Sequence, residues 1–258
     1  MKKRISQAQR KHQDYLRRKG LQVGRAYMGR LLKLRAKEVK RVLTLCRDYG
    51  DKSQWPRVIE DNLSEAGYLY DWFSGLYLNA GLPQAKSITR DLSRGKAESP
   101  SGAWEQALKE YAQQRAGNRI VSLTDTLKED VVDTMRALME LHPDMSVEKL
   151  TQAIYKSYAA NVAEWQARRI AQTETMIGLE EAGRLAAEST GLRFTKTWCI
   201  SGVGNTRETH QLMDGVTVED SEYFLLPDCA MLYPHDCSTG APAGEIINCA
   251  CSCIRTPM

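Results

Sequence analysis

Two short stretches near the end of the chain contain residue types that bind metals or transfer protons. The first, "HQLMDG", contains His210, and the second, "NCACSC", contains Cys249, Cys251 and Cys253. Imidazole and thiolate groups are ligands that suit zinc. The two stretches could therefore form one metal site, or they could be a turn and a set of unrelated thiols.

The spacing of the cysteines limits how they could share one ion. If "IINCACSCI" is a strand, as its composition predicts, the three alternate cysteines lie on one face and span about 13 Å. Zn–S bonds of ~2.3 Å do not allow three ligands from a straight strand. A C-x-C pair such as Cys249 and Cys251 can converge if the strand bends, with His210 as a further ligand. The other available ligands are His235, Cys229, Cys237 and Cys253.

The distribution of thiols leaves three alternatives open. Six of the seven cysteines lie in the last 60 residues, and Cys46 stands apart. Such a cluster can be a set of inert buried thiols, a metal site, or disulfides formed in an oxidising medium. Zinc is thus the cofactor that this pattern allows, without the spacing alone deciding between the three.

No complete catalytic constellation accompanies His210. Asp214 and Gly215 are typical of a tight turn, and we predict a hairpin of strand, turn and strand here. The sequence contains no H-x-E, H-E-x-x-H, P-loop, G-x-S-x-G or G-x-G-x-x-G pattern. We therefore expect that the chain is not an enzyme. The alternative is a metal-dependent hydrolase or nuclease that uses His210 with Asp214 or Glu174.

The elements that must position these residues change character at Gly191. Residues 1–190 are rich in helix-forming residues, whereas the remainder alternates and is β-rich. The sequence predicts an α+β protein, with a predominantly helical N-terminal body followed by a small β-rich C-terminal module. Within the body we predict a helix that ends near Gly81, a linker over 82–102, and a separate helix that starts near Ser122 or Thr124 and stops before Pro143.

Charge is unevenly spread along the chain. Residues 1–41, here called the basic arm, carry fifteen lysines and arginines against two acids, a net charge of +13. Because the whole chain carries +4, the remainder carries −9. A basic arm on an acidic body favours an anionic partner. The candidate anion-binding residues are Lys2, Lys3, Arg4, Arg10, Lys11, Arg17, Arg18 and Lys19. No apolar run approaches the ~20 residues of a membrane span, so no membrane partner is expected.

A series of motifs occupies roughly 125–253: a helix with "RRIAQTET", a strand with a tryptophan, "R-x-x-H-x-x-x-D-G", a Pro-containing loop and "N-C-x-C", in that order. Together these motifs resemble the phage head morphogenesis family, the minor head proteins similar to protein F of phage Mu. Ala250 departs from the family, which usually has arginine inside this last motif. The matching positions are Ala171, Thr173, Glu174, Trp198, Arg207, His210, Asp214, Gly215, Asn248, Cys249 and Cys251.

The resemblance implies a role in the virion. It implies a minor capsid protein at the portal vertex that acts in head assembly and in DNA packaging or delivery, with the portal protein as partner. The major capsid protein and packaged double-stranded DNA are further expected partners. The expected location is the interior of the head or neck, and the host cytoplasm during assembly. The family also implies a division into a helical region at 1–120 and a Mu-F-like domain at 121–258, and some of its members carry fused toxin domains.

Overall fold

The computed structural model describes residues 4–93, 103–161, 163–201 and 206–258. The described helices are α1 (Gln7–Tyr49), α2 (Trp55–Asn62), α3 (Ala66–Ser93), α4 (Ala103–Leu141), α5 (Val147–Asn161), α6 (Ala163–Glu188), α7 (Glu208–Met213) and α8 (Ala243–Ile246). The strands are β1 (Phe194–Cys199), β2 (Thr217–Glu219), β3 (Phe224–Leu225), β4 (Ala230–Met231) and β5 (Ser252–Pro257). This confirms the predicted α+β class. No helix among the described residues has both the length and the apolar character needed to cross a membrane.

The chain divides into two compact units built from separated segments. One unit contains Met1–Ala26, Ser74–Ala112 and Ala171–Met258, and the other contains Tyr27–Phe73 and Gln113–Ile170. The predicted division at residue 120 differs from these units, because α4 continues as one helix through that position.

The second unit is an all-helical bundle with its own apolar core. Its buried residues include Val39, Trp55, Leu127 and Ile154. A buried ion pair lies in the same unit, where Arg35 Nε donates to Glu65 Oε1 at 2.7 Å. Both side chains are almost fully buried, so each needs the other to offset the loss of water.

The first unit contains the β-rich C-terminal module (residues 192–258). A three-stranded antiparallel sheet has the order β2–β1–β5, and β3 and β4 form a separate two-stranded ladder. Helix α6 packs against this module. Glu180 on α6 accepts from the Cys253 amide at 3.1 Å and from Arg255 Nη1 at 3.3 Å, while Tyr233 donates to Glu181 at 2.5 Å.

Two predicted helix boundaries in the body are wrong. Helix α3 does not end at Gly81 but continues through Pro83 to Ser93, and residues 94–102 lie outside the described residues. Ala85 and Ile88 are buried, so tertiary packing outweighs the amide that proline lacks. Gly81 allows a close helix approach, since a Cβ there would lie 2.4 Å from Ala182 Cβ.

Other boundaries agree with the sequence in part. α4 begins at Ala103, so a separate start near residue 122 is wrong, but the helix does end before Pro143. β1 is confirmed. The predicted first strand of the hairpin is instead the helix α7, whose residues Glu208, Gln211 and Met213 favour helix.

Candidate metal centre

Three residues of the two C-terminal motifs meet in one buried group, here called the His–Cys–Cys cluster (His210, Cys249 and Cys251). His210 Nδ1 lies 3.4 Å from Cys249 Sγ and 3.5 Å from Cys251 Sγ. The three ligand atoms all lie within 4.8 Å of one another, and all three residues are buried. One nitrogen and two sulfurs at these separations can hold a metal ion, which confirms the predicted convergence of the motifs.

Helix α7 and the turn after it position His210. Gly215 has φ +78° and its amide donates to the Trp198 carbonyl at 2.9 Å, which fixes the end of the turn to β1. The Trp198 ring packs edge-on against His210 with centroids 5.3 Å apart. The imidazole is thus held between its own helix and the sheet.

The thiols converge because Cys249 and Cys251 precede β5 rather than belonging to it. β5 begins only at Ser252, so the prediction of one continuous strand over 246–254 is wrong. Asn248 has φ +58°, a left-handed conformation that bends the chain immediately before Cys249. Because both cysteines lie in this irregular segment, the obstacle that a straight strand would present to their convergence is absent.

Contacts from two motif residues hold this bend in place. The Asn248 amide donates to Thr173 Oγ1 on α6 at 3.3 Å. Arg207 Nη2 donates to the Ile247 carbonyl at 2.6 Å. Thr173 and Arg207 therefore position the thiols without contributing ligand atoms.

The two thiols have opposite pKa shifts. A hydrogen bond from Cys251 lowers the pKa of Cys249 well below its usual value, with His235 and His210 adding to the effect against burial. The same interaction with Cys249 raises the pKa of Cys251, and burial adds to it. The interaction between the two thiols therefore favours loss of a proton from Cys249 before Cys251, and a bound cation would require both to be deprotonated.

A carboxylate lies on the far side of the His210 ring. His210 Nε2 is 2.8 Å from Glu245 Oε2. The N–H direction of the ring does not point directly at this oxygen, so the contact is not a well-aligned hydrogen bond. Thr209 Oγ1 donates to the same oxygen at 3.0 Å. A carboxylate behind a metal-binding histidine orients the ring and increases its basicity. Sequence reasoning missed Glu245, because nothing in the local pattern "APAGE" marks it.

His235 lies beside the cluster in a buried loop. Its Nε2 is 3.0 Å from the Cys251 carbonyl, and its Nδ1 is buried without a hydrogen-bond partner. Burial lowers the pKa of this imidazole, but Cys249, Glu180 and the Cys251 carbonyl together outweigh that effect, so the net pKa is raised. The backbone at His235 has φ +73°, a conformation that costs a non-glycine residue about 1–3 kcal/mol.

The remaining predicted ligands lie outside the His–Cys–Cys cluster. Cys253 is on β5, where its amide bonds Glu180, and burial raises the pKa of its thiol. Cys237 Sγ donates to the His235 carbonyl at 3.2 Å, and Cys229 is half-buried. None of the seven cysteines, all of which are among the described residues, is disulfide-bonded, so the disulfide alternative is not what the structure contains.

Neither carboxylate that the hydrolase alternative requires belongs to the His–Cys–Cys cluster. Asp214 accepts from Arg10 Nη2 at 2.7 Å and from the Ile200 amide at 3.1 Å. Glu174 Oε2 accepts from the Tyr77 hydroxyl at 2.7 Å. The expected pairing of His210 with Asp214 or Glu174 is therefore corrected, and Glu245 is the carboxylate that lies next to the imidazole.

The candidate anion-binding residues fall into different environments. Lys2 and Lys3 lie outside the described residues, and Arg10 is bound to Asp214. Arg17 is half-buried and pairs with Asp14 at 3.2 Å. The exposed members are Arg4, Lys11, Arg18 and Lys19. The basic arm is not an extended tail from residue 7 onward, since α1 begins at Gln7.

Comparison with known proteins gives one partial relative. No family model matches the chain, and no solved structure matches it. A protein of Enterococcus faecalis named NAD(+)–arginine ADP-ribosyltransferase EFV is 31% identical over 109 residues, which is 42% of this chain. The match covers 20% of that relative, so this chain spans about one fifth of its length.

This match corrects one expectation. The lack of a recognisable catalytic motif predicted that the chain is not an enzyme, whereas a protein to which it is 31% identical over 109 residues is named as an enzyme. The absence of familiar motifs was an insufficient reason, because catalytic groups can come from positions distant in sequence and need no contiguous pattern.

Proposed function

We propose that this chain is a minor head protein of a tailed phage that associates with the portal vertex and acts in head assembly and in DNA packaging or delivery. The observation that supports this most is the convergence of the motifs on which the resemblance rests. Residues from "R-x-x-H-x-x-x-D-G" and from "N-C-x-C" form one buried cluster. Thr173 of the "RRIAQTET" helix accepts a hydrogen bond from the backbone amide of Asn248, the first residue of "N-C-x-C". Motifs that act together in one site are stronger support than motifs that match singly.

The partners follow from the same resemblance. The portal protein is the proposed main partner, with the major capsid protein and packaged double-stranded DNA as further ones. The proposed location is the interior of the head or neck of the virion. The exposed basic residues Lys11, Arg18 and Lys19 on α1 support an anionic partner, either DNA phosphates or an acidic protein surface.

Zinc is the metal that best suits the His–Cys–Cys cluster. Thiolate and imidazole ligands together favour zinc over magnesium or calcium, which prefer oxygen. In a module with only short strands, a metal supplies folding free energy that a small core does not. The proposed role of zinc is therefore to hold the turn before β5 against α7.

Portal association can be tested by co-expression. The chain and a tagged portal protein from the same phage genome are produced together, and the portal is purified by its tag. The proposal expects the chain to be retained, and not to be retained by the portal protein of an unrelated phage. A portal that fails to retain the chain at low and moderate salt contradicts the proposal.

A second candidate function is favoured by the match to the Enterococcus faecalis protein: transfer of ADP-ribose from NAD⁺ to arginine. Some members of the family that the chain resembles carry fused toxin domains. A relative that is named a transferase, and of which this chain spans one fifth, is compatible with a head-protein segment fused to a toxin domain. Incubation of the chain with NAD⁺ labelled in its ADP-ribose part and an arginine-containing acceptor tests this candidate. Labelled arginine supports it, and unlabelled acceptor beside an active transferase control contradicts it.

A further inference from the structure

We propose that His235 is a fourth metal ligand, so that His210, His235, Cys249 and Cys251 form a closed site for zinc. This inference rests on the zinc proposal for the His–Cys–Cys cluster but not on the proposed role in the phage head. It adds a ligand from a third chain segment, the loop between β4 and α8, which contains none of the positions that match the family.

Hydrogen bonding shows which nitrogen of the His235 ring carries a proton. Because the Cys251 carbonyl can only accept, His235 Nε2 at 3.0 Å from it must carry the proton and donate. In a neutral imidazole the other nitrogen, Nδ1, then has a lone pair. A second nitrogen bonded to a backbone carbonyl is the usual arrangement behind a metal-binding histidine.

Nδ1 forms no hydrogen bond of good geometry among the described residues. The His235 side chain is fully buried, and its Nδ1 has no hydrogen-bond partner. A buried polar atom without a partner is costly, and an ion that it binds is one of the few explanations available. The side chain that interacts with the His235 ring is Cys249, which is itself a cluster ligand.

The backbone supports the same assignment. Among the described residues, His235 and Asn248 are the two non-glycine residues with positive φ, at +73° and +58°. One carries the proposed ligand itself, and the other directly precedes Cys249. Strained backbone of this kind persists where the surrounding structure requires a side chain in one place.

Four protein ligands give the site a definite chemical character. A zinc ion with two imidazoles and two thiolates has no position for water, whereas a catalytic zinc keeps one open. The inference therefore assigns the site a structural role and distinguishes it from a three-ligand hydrolytic site in which Glu245 would act on a bound water.

The wild-type chain provides a test that does not depend on a variant folding. Co²⁺ is substituted for zinc in the reduced protein, and the visible d–d bands are recorded before and after addition of azide. A closed tetrahedral site predicts intense bands that azide does not change. Bands that shift on azide addition indicate an open position and overturn the fourth-ligand assignment.

Matched histidine variants complete the test. His235→Ala is compared with His142→Ala, since His142 is exposed just after α4 and distant from the motifs in sequence. We expect His235→Ala to weaken zinc binding by more than the ~10–100-fold that loss of an outer partner costs, and His142→Ala to leave it unchanged. Equal zinc affinity in wild type and His235→Ala overturns the inference, whereas a wild type that binds no zinc overturns the zinc proposal on which it rests.

Discussion

Arg10 and Asp214 form a bidentate ion pair that joins the first turn of α1 to the turn after α7. Arg10 Nη2 lies 2.7 Å from Asp214 Oδ2, and Nη1 lies 3.3 Å from Oδ1. Asp214 also accepts from the Ile200 amide at 3.1 Å. The aspartate of the R-x-x-H-x-x-x-D-G motif thus connects β1, the turn and the N-terminal helix, and one arginine of the basic arm serves the fold rather than an external anion.

Replacement of Asp214 by alanine should destabilise the chain. It removes the ion pair and leaves the Ile200 amide without its acceptor, which predicts a loss of about 1–3 kcal/mol in the free energy of unfolding. The lower part of this range is expected, because Arg10 is 38% exposed and water screens the pair. Urea denaturation measures the loss. Asp228→Ala, at an exposed position, is the control, and equal stability of the two variants would count against the role of this contact.

The exposed arm residues should control binding to an anionic partner. If Lys11, Arg18 and Lys19 contact DNA phosphates, the slope of log affinity against log salt should fall by about 0.9 for each contact removed. A variant with all three changed to alanine is compared with wild type by titration of duplex DNA at several salt concentrations. These positions lie on the exposed face of α1, so the fold should persist, whereas deletion of 1–41 would remove the buried core residues Leu31 and Val39. An unchanged slope would exclude these residues as the contacts.

The sequence predicted the architecture better than the local geometry of the site. The change from helix to strand near Gly191 and the strand β1 follow from composition and alternation, which are local properties. The helix α7 was missed because an Asp-Gly pair followed by alternating residues is typical of a hairpin. The continuation of α3 past Pro83 depends on burial of Ala85 and Ile88 against other segments, which no local pattern contains.

The site itself was predictable only as a set of residue types. His210, Cys249 and Cys251 could be named from the sequence, but a straight strand would have kept the cysteines from converging. The irregular segment that contains both cysteines begins after the left-handed residue Asn248, and residue type alone does not predict that conformation, since asparagine occupies many conformations. Glu245 could be identified as part of the site only from the structure, in which α8 places its carboxylate next to the His210 ring.

Lys196 should titrate at an unusually low pH. Burial lowers its pKa to about 8, with Arg255 adding to the effect, although its Nζ donates to the Asp220 carbonyl at 2.8 Å. An exposed lysine titrates near ~10.4. NMR of the side-chain carbon next to Nζ measures this pKa directly. A value in the ordinary lysine range would contradict the burial that the structure shows.

The lowered pKa of Lys196 has a consequence for stability with a definite sign. Below pH 8 the lysine is protonated in both states, and between pH 8 and ~10.4 the unfolded state binds more protons, so its contribution to stability rises with pH. The difference in unfolding free energy between wild type and Lys196→Met should therefore shift in favour of wild type across this window. The pH-dependent contributions of other groups, including the buried thiols, are nearly the same in both proteins and therefore largely cancel when the two unfolding free energies are subtracted.

Removal of metal should destabilise the C-terminal module. A ligand that binds only the folded chain stabilises it by about 2.7 kcal/mol at 100 times its Kd, and a chelator should remove that amount. Zinc affinity should also fall as pH decreases, because thiols and protonated imidazoles must lose protons before they can bind the metal. Thermal unfolding with and without chelator measures the first effect. Cys249→Ser should abolish the chelator effect and the control Cys229→Ser should retain it; a wild type insensitive to both zinc and chelator would contradict the metal centre.

The composition of purified phage particles tests the proposed function most directly. Under the proposal the chain is encoded by a tailed phage, so heads of that phage are purified and the chain is quantified by mass spectrometry relative to the portal protein. The proposal predicts that the chain is present in few copies per head, in constant ratio to the portal. It also predicts that particles made without the chain have defects in assembly, DNA content or DNA delivery. Purified infectious wild-type particles in which the chain is absent would contradict the proposed function.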